Sequence, residues 1–419
     1  MTGASKSRRR LWFSLHSWVG MKLSLLFFFV SLTGTVAVYA YEVDWLFTPA
    51  LRAEAPYPNA ERMPVGTQLA AAFEKYPNWT PHYFHVNLPG YMASELIVKD
   101  EKGDLRRIYI NPYSAQVQGV ADWFNAHRFL REAHRHLMLP LAWGLTLVTL
   151  LSLPLLLSLI SAFPIFKRWW RGFFKSPTKT DPPRRWWGNL HRWLGLWSLP
   201  FILIIGLTGF WYLVEEWGAS APQALSALTP LPEAGRLPRD AEHLNHALNS
   251  ALSQWPGYHL DSLFFRGENQ PIILHGQDTA LLVRPRTNLL LLDPATGEVL
   301  DRFRGEQLNL HQRIAEAADP LHFGTFGGQL TRFLWFLWGI MLTLLSASGA
   351  WIYTLRLTHG SRRADRPTGA STTTRRTPST KTSAPTTHRQ TLWRGQFLRW
   401  PQLALILTCL TLAVISFSS

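Results

Sequence analysis

A single cysteine, Cys409, stands among 419 residues. No intramolecular disulfide can form, and a Cys-built zinc or iron–sulfur site within one chain is excluded. Charge is also scarce. Asp, Glu, Lys and Arg make up 16% of the chain, where a water-soluble protein carries about 25%. Long apolar helices produce that shortfall, which argues against a purely cytosolic enzyme. No serine-nucleophile motif, HExxH, or flavin or nicotinamide fingerprint occurs, so reducing equivalents would have to come from another molecule. The glycine-rich GTFGG at 324–328 has no strand before it and opens an apolar helix, so it is not a nucleotide loop. What the chain has in quantity is imidazole and indole, with 15 His and 20 Trp.

Apolar stretches at 11–41, 137–163, 193–214 and 333–355 are long enough to span the bilayer, which takes about 20 helical residues; a shorter fifth covers 401–417. Arg8, Arg9 and Arg10 precede the first, which is too long for a signal peptide and lacks a small-residue cleavage pattern, so it reads as retained. Residues 42–125 hold ten acids and seven bases, and residues 215–321 hold fourteen and eight, a combined net charge of −9. The loop between the second and third spans carries Lys167, Arg168, Arg171, Lys175, Lys179, Arg184 and Arg185 against Asp181 alone. The positive-inside bias puts this loop and the N-terminus in the cytoplasm and both polar blocks outside. The sequence thus reads as a multi-pass membrane protein with the lipid bilayer as its solvent. Its basic pI is topological and implies no nucleic acid. Residues 358–392, rich in Thr, Ser, Pro and Arg, read as a disordered cytoplasmic linker.

The strongest signal is internal. LHSWVG at 15–20 recurs as LHRWLG at 190–195, and Leu32-Thr33-Gly34 recurs as Leu207-Thr208-Gly209 at the same offset. Each copy opens onto a polar block of one grammar. In the first, a helix over 63–76 precedes strands at 82–88, 94–99, 105–110 and 115–120. In the second, a helix over 238–255 precedes strands at 260–266, 271–276, 280–284, 288–292 and 298–303. The closing hairpins match, with Asn111-Pro112 and Asp293-Pro294 as turn residues. The fold class expected is an α-helical membrane protein, four core transmembrane helices plus a probable fifth, with two external α+β modules related by internal duplication. Expected boundaries are helix 1 at 11–41, module 1 at 42–125, helix 2 at 126–166, a cytoplasmic loop at 167–186 and helix 3 at 187–215. Module 2 follows at 216–307, helix 4 at 308–357, the linker, and helix 5 at 396–417.

The LHxWxG starts, the helix-plus-antiparallel-sheet blocks with their (N/D)P hairpins, and the AHRHLML and LHFGTFGG sequences (133–139, 321–328) resemble a known family over roughly 8–357. These are bacterial inner-membrane proteins with PepSY-associated transmembrane helices. The resemblance implies two periplasmic PepSY-like modules and b-type haem. It implies electron transfer from the cytoplasmic side to a ferric siderophore in the periplasm during iron uptake, an oxidoreductase function with two haem b as cofactors. Relatives with other substrates share these helices.

The residues supply a separate argument. A His in or at the mouth of a bilayer helix is costly without a partner and is a functional candidate. His16 lies six residues after Arg10, and His191 six after Arg185; His134 is 33 residues from Lys167, and His322 is 34 from Arg356. Equal depths within each pair suit bis-imidazole ligation of one iron, so His16 with His191 forms the expected inner pair and His134 with His322 the outer. The alternative is a set of polar interhelical hydrogen bonds. Gly20 and Gly195 follow the inner histidines by one turn, where a missing side chain admits a flat macrocycle or close helix packing. Arg135, Arg192, Arg332 and Lys22 are placed for haem propionates or as interfacial anchors. His136 points nearly opposite to His134. His127 and His311 read as solvated helix extensions, with substrate-metal binding as the alternative, and His243 and His246 as a solvated face. His82 and His85 need no function. Along a straight helix the two sites stand about 27 residues, or roughly 40 Å, apart unless Pro140, Pro154 and Pro164 bend the second helix.

The residues and the resemblance together point to a di-haem reductase of a ferric siderophore, with haem ligands as its only catalytic groups and an unidentified cytoplasmic or membrane electron donor. Three rivals stand beside it: a non-enzymatic binding or regulatory membrane protein, a metal or siderophore permease, and a di-haem carrier with another donor or acceptor.

Overall fold

The computed structural model describes residues 3–178, 183–364 and 399–418. In chain order its elements are α1 (Gly3–Ala37), α2 (Ala40–Phe47), α3 (Val65–Lys75), β1 (Thr80–His85), β2 (Ser94–Lys99), β3 (Leu105–Ile110), β4 (Val117–Asp122) and α4 (Ala126–His136). Then come α5 (Leu141–Leu150), α6 (Ser152–Ile165), α7 (Pro183–Trp197), α8 (Leu199–Val214), α9 (Ala241–Ser253), β5 (His259–Phe264), β6 (Ile272–Gln277), β7 (Asn288–Leu292) and β8 (Val299–Phe303). The chain closes with α10 (Leu310–Phe323), α11 (Gly328–Ala364) and α12 (Arg399–Ser418). The expected linker lies outside the described residues from 365 onward, and its first residues continue α11. The chain divides into a helical unit (α1, the end of α4, α5 to most of α8, most of α11, and α12) and an α+β unit (Ala37–Arg131 and Trp211–Phe333).

Among the described residues, five stretches are long and apolar enough to cross a membrane: Ser7–Ala37, Leu141–Ile165, Leu199–Leu228, Gly328–Ile352 and Trp400–Ser418. The protein is therefore a multi-pass membrane protein, and the short fifth stretch is a full helix. Its Gln402 is buried against α1, where its Oε1 accepts from the Leu26 N–H at 3.1 Å and its Nε2 donates to the Lys22 carbonyl. Gln402 thus bonds two backbone groups that an α-helix pairs with each other. On another face of α1, Thr35 meets Thr343 at 3.3 Å, and a Cβ on Gly339 would stand 2.6 Å from the Thr35 hydroxyl. Missing side chains set this close approach of α1 and α11.

The expectation of one continuous second helix is corrected. Stretch 126–166 is three helices. α4 ends at His136, Leu137 and Met138 turn back with positive φ, and Pro140 precedes α5. Pro154 then offers no N–H to residue 150, which marks the α5–α6 junction, as Pro200 does at the α7–α8 junction. The fourth helix is broken likewise: α10 ends at Gly324 in the left-handed conformation before α11 begins. The straight-helix length of roughly 40 Å between sites therefore does not apply to this backbone.

In the α+β unit the eight strands form a single antiparallel sheet in the order β4-β3-β2-β1-β5-β6-β7-β8. The two halves join by β1–β5 pairing, where Phe84 lies opposite Leu263, the residue equivalent to it in the other half. Eight of the nine expected strands are present. The run 280–284 is instead irregular, with Leu282 at positive φ, Pro285 starting a 3-10 turn, and the Arg284 guanidinium bonded to Glu316 and Asp319 on α10. One sheet face carries Phe84, Leu96, Ile108, Leu263, Leu274 and Leu290 against α3 and α9, forming the main core. The two helices pack so closely that a Cβ on Gly66 would overlap Asn245. Asn125 and Asn309 cap α4 and α10 through their side-chain oxygens, a further match between the copies.

Candidate functional site

The LHxWxG motifs place His16 on α1 and His191 on α7. The structure brings the two rings together in the helical unit, with centroids 6.3 Å apart and planes crossed at 80°. Each is held by the closing helix of its own half. The His16 Nδ1 lies 3.0 Å from Ser161 Oγ and 3.1 Å from the Ser158 carbonyl on α6. The His191 Nδ1 lies 3.0 Å from Ser348 Oγ on α11 and is also bonded to the Leu345 backbone. Ser158 and Ser161 correspond to Leu345 and Ser348 at a constant offset, so one brace occurs twice.

This brace fixes the protonation of both rings. Ser161 Oγ donates to the Ser158 carbonyl at 3.0 Å, and Ser348 Oγ donates to the Leu345 carbonyl at 2.9 Å. A hydroxyl has one proton, so toward the imidazoles these oxygens can only accept. Nδ1 then carries the hydrogen in both rings, and Nε2 carries a lone pair. Two imidazoles bound in line to one metal, through bonds of roughly 2 Å and with each ring centre about 1 Å behind its nitrogen, stand a little over 6 Å apart. The observed separation matches that spacing. A Cβ on Gly20 would meet nothing within 4 Å, and one on Gly195 would meet only Leu345 Cδ1 at 3.7 Å. The donor set, its tautomers and the clear flank beside Gly20 fit a bis-imidazole metal group.

His134 sits in the last turn of α4. Its Nδ1 donates to the Val30 carbonyl of α1 at 2.9 Å, which again puts the lone pair on Nε2. Its ring lies against Gly34, where a Cβ would come within 2.5 Å of Cε1. The glycine of the repeated LTG thus makes room for this ring. His322, on α10, belongs to the α+β unit and packs on Tyr212 and Phe323 at 5.3 and 5.7 Å. His136 is engaged locally, donating from Nδ1 to the Leu139 carbonyl at 2.8 Å.

Of the basic residues, Arg135 is exposed. Arg192 folds back onto the Gly188 carbonyl and Asn189 and lies over Phe166. Arg332 pairs with Glu42 at 3.0 Å, donates to the Val38 carbonyl and covers Tyr39. Lys22 presents its carbonyl to Gln402.

The other face of the sheet's first half holds polar groups the sequence reading passed over. Glu95 and Arg107 form a buried ion pair, each about 2% exposed. His127 is not a solvated residue: it stacks on Tyr41 at 4.3 Å, and its Nδ1 is buried with no partner among the described residues. Burial pushes its pKa down to about 3, against the opposing pull of Glu95. His85 contacts Tyr83 and Tyr41, and burial lowers its pKa too. His275, across the β1–β5 junction, is lowered by burial and then by Arg286 to about 4. His311 is exposed and bonds the Ala219 carbonyl, while His243 and His246 lie on an exposed face, where His243 pairs with Asp240.

No curated protein matches the chain. A family model does, described as the PepSY-associated TM region and matching residues 13–356. That match runs from the first LHxWxG motif to the end of the fourth apolar span, so the chain belongs to the PepSY-associated TM family.

Proposed function

We propose that this protein is an inner-membrane, di-haem b-type reductase that moves electrons from the cytoplasmic side to a ferric siderophore in the periplasm. The observation that carries this reading is the crossed His16–His191 pair, with Nδ1 of each ring tied to a serine of its own half and Nε2 left as the ligand atom. His134, with the same tautomer imposed by the Val30 carbonyl, is the candidate ligand for the second haem. When bound, haem supplies one-electron chemistry at an iron whose potential follows its axial ligands and burial. The chain's own residues hold the imidazoles and keep their lone pairs on Nε2. At the acceptor, one electron converts Fe(III) to Fe(II). The hard oxygen ligands of a siderophore hold Fe(II) less tightly, so the metal is released without a nucleophile or general base. The α+β unit would stand in the periplasm, because its blocks carry the chain's acidic excess and the 164–186 loop its bases.

The test is a spectrum of the detergent-purified protein, oxidised and dithionite-reduced, with haem counted per chain. Sharp reduced b-type bands at two haems per chain are expected. His16→Ala or His191→Ala should each lose one haem while the protein stays in the membrane. A protein that remains colourless when made with added haem would overturn the proposal, as would unchanged stoichiometry in both variants for this pairing.

A further inference from the structure

We propose that Ser161 and Ser348 are positioning residues that fix the tautomer and the crossed orientation of His16 and His191, and thereby set the electronic character of the iron those rings hold. The inference rests on the haem reading of the pair and deepens it.

Three observations carry it. Both serines are buried, at 0% and 1% exposure, so no water competes for their oxygens. Both hydroxyl protons are committed to the carbonyl three residues back. A serine doing only this is an ordinary back-bonding residue of an apolar helix. Here each oxygen, its proton used, accepts from a histidine of a different helix. The arrangement also recurs at equivalent positions in both halves, although the residues around the serines differ: LISAF surrounds the first and SASGA the second.

The 80° crossing follows from this brace. An imidazole ligated through Nε2 can rotate about its metal bond, and a hydrogen bond at Nδ1 is what stops the rotation. α6 and α11 fix the two Nδ1 edges separately, so the planes hold their crossing rather than relaxing toward each other. In low-spin ferric haem with two axial imidazoles, crossed planes bring the two highest-filled iron d orbitals close in energy, and parallel planes split them. The ring angle is therefore visible in the electron paramagnetic resonance spectrum, independently of any turnover.

The experiment uses the full-length protein in detergent, with haem counted per chain in every variant. Wild type should show a strongly anisotropic, large-g low-spin signal that the His16→Ala/His191→Ala double variant lacks. Ser161→Ala and Ser348→Ala should convert that signal toward the rhombic form of less crossed rings, or weaken haem retention by roughly 10- to 100-fold. Ser161→Thr, which keeps the hydroxyl, should restore it. A rhombic wild-type signal for the inner haem would overturn the proposal. So would an unchanged spectrum and haem count in both alanine variants, or loss in Ser161→Ala that threonine fails to rescue. A full haem count in the double histidine variant is a separate outcome, and it overturns the underlying haem assignment as well.

Discussion

At Gly34 two residue-level effects oppose each other, and their sizes decide the outcome. Alanine in a helix interior is worth up to about 1 kcal/mol over glycine, so Gly34→Ala should stabilise α1. Yet its Cβ would stand 2.5 Å from His134 Cε1, a distance real contacts do not reach, and the ring is tethered to Val30 one turn away. The ring must leave its place. On the haem reading proposed above, Gly34→Ala should therefore lower haem content at the site of His134 while the protein remains folded. Gly20→Ala, whose methyl meets no protein atom, separates the two effects, because its fold should be unaffected. Pyridine haemochrome counts on both variants check this. The buried Glu95–Arg107 pair gives a second contrast. Arg107→Leu leaves a carboxylate in an apolar surround and should cost about 3–5 kcal/mol, whereas Glu95→Leu with Arg107→Leu should recover most of that loss. Thermal unfolding of the two variants reads the difference, and equal losses would contradict it.

Among the elements, α12 shows what one polar side chain does between apolar helices. Gln402 bonds both Lys22 and Leu26, and the only cysteine lies seven residues on, fully buried. α1 is a continuous helix that pairs both groups within itself, so Gln402→Leu costs it little stability, but the docking of α12 loosens. Maleimide labelling of Cys409 in detergent should be faster in this variant, and an unchanged rate would mean the helix is held otherwise. The same scale separates what the sequence made legible from what it did not. The LHxWxG repeat, the alternating strands and the Asn-Pro and Asp-Pro hairpins are local patterns, and the elements they foretell are present. The break at 137–140 is half legible: Pro140 signals a bend, but Leu137 and Met138 read as apolar helix, and their positive φ turns the chain there. The apolar run 280–284 imitates a strand, but Arg284 turns to Glu316, a partner 32 residues away. The β1–β5 junction and the Ser161 and Ser348 braces are contacts across well over a hundred residues. Serine in an apolar helix carries no signal by itself; its recurrence at a constant offset is the clue that could have found it.

At the scale of the whole molecule the duplication is symmetric in backbone and unequal in chemistry. On the sheet face away from α3 and α9, the first half carries His85, Glu95, Arg107 and Tyr109, while the equivalent positions of the second are Phe264, Ile273, Leu289 and Leu291. The second copy keeps this face apolar apart from His275, the first buries a polar network, and the buried histidines of both make stability depend on pH. His127 and His275 are held to about 3 and about 4 by burial, against about 6.5 in an unfolded chain. As pH falls below 6.5 the unfolded state takes up protons that these folded rings refuse, so each removes up to about 1.4 kcal/mol of stability per pH unit until its own pKa is reached. Burial raises Asp44 to about 6, so between about pH 6 and pH 4 its folded form is the one that gains a proton, offsetting about one of the two histidines. His85 shifts in the same direction as the other rings and adds to the loss. The balance is a fall in unfolding midpoint between about pH 6.5 and pH 4. Replacing both His127 and His275 by Phe removes these two shifts and leaves Asp44 to act against His85, so the fall should flatten markedly. Thermal melts of wild type and the double variant across that range measure it; equal acid slopes in the two proteins would locate the sensitivity outside the network.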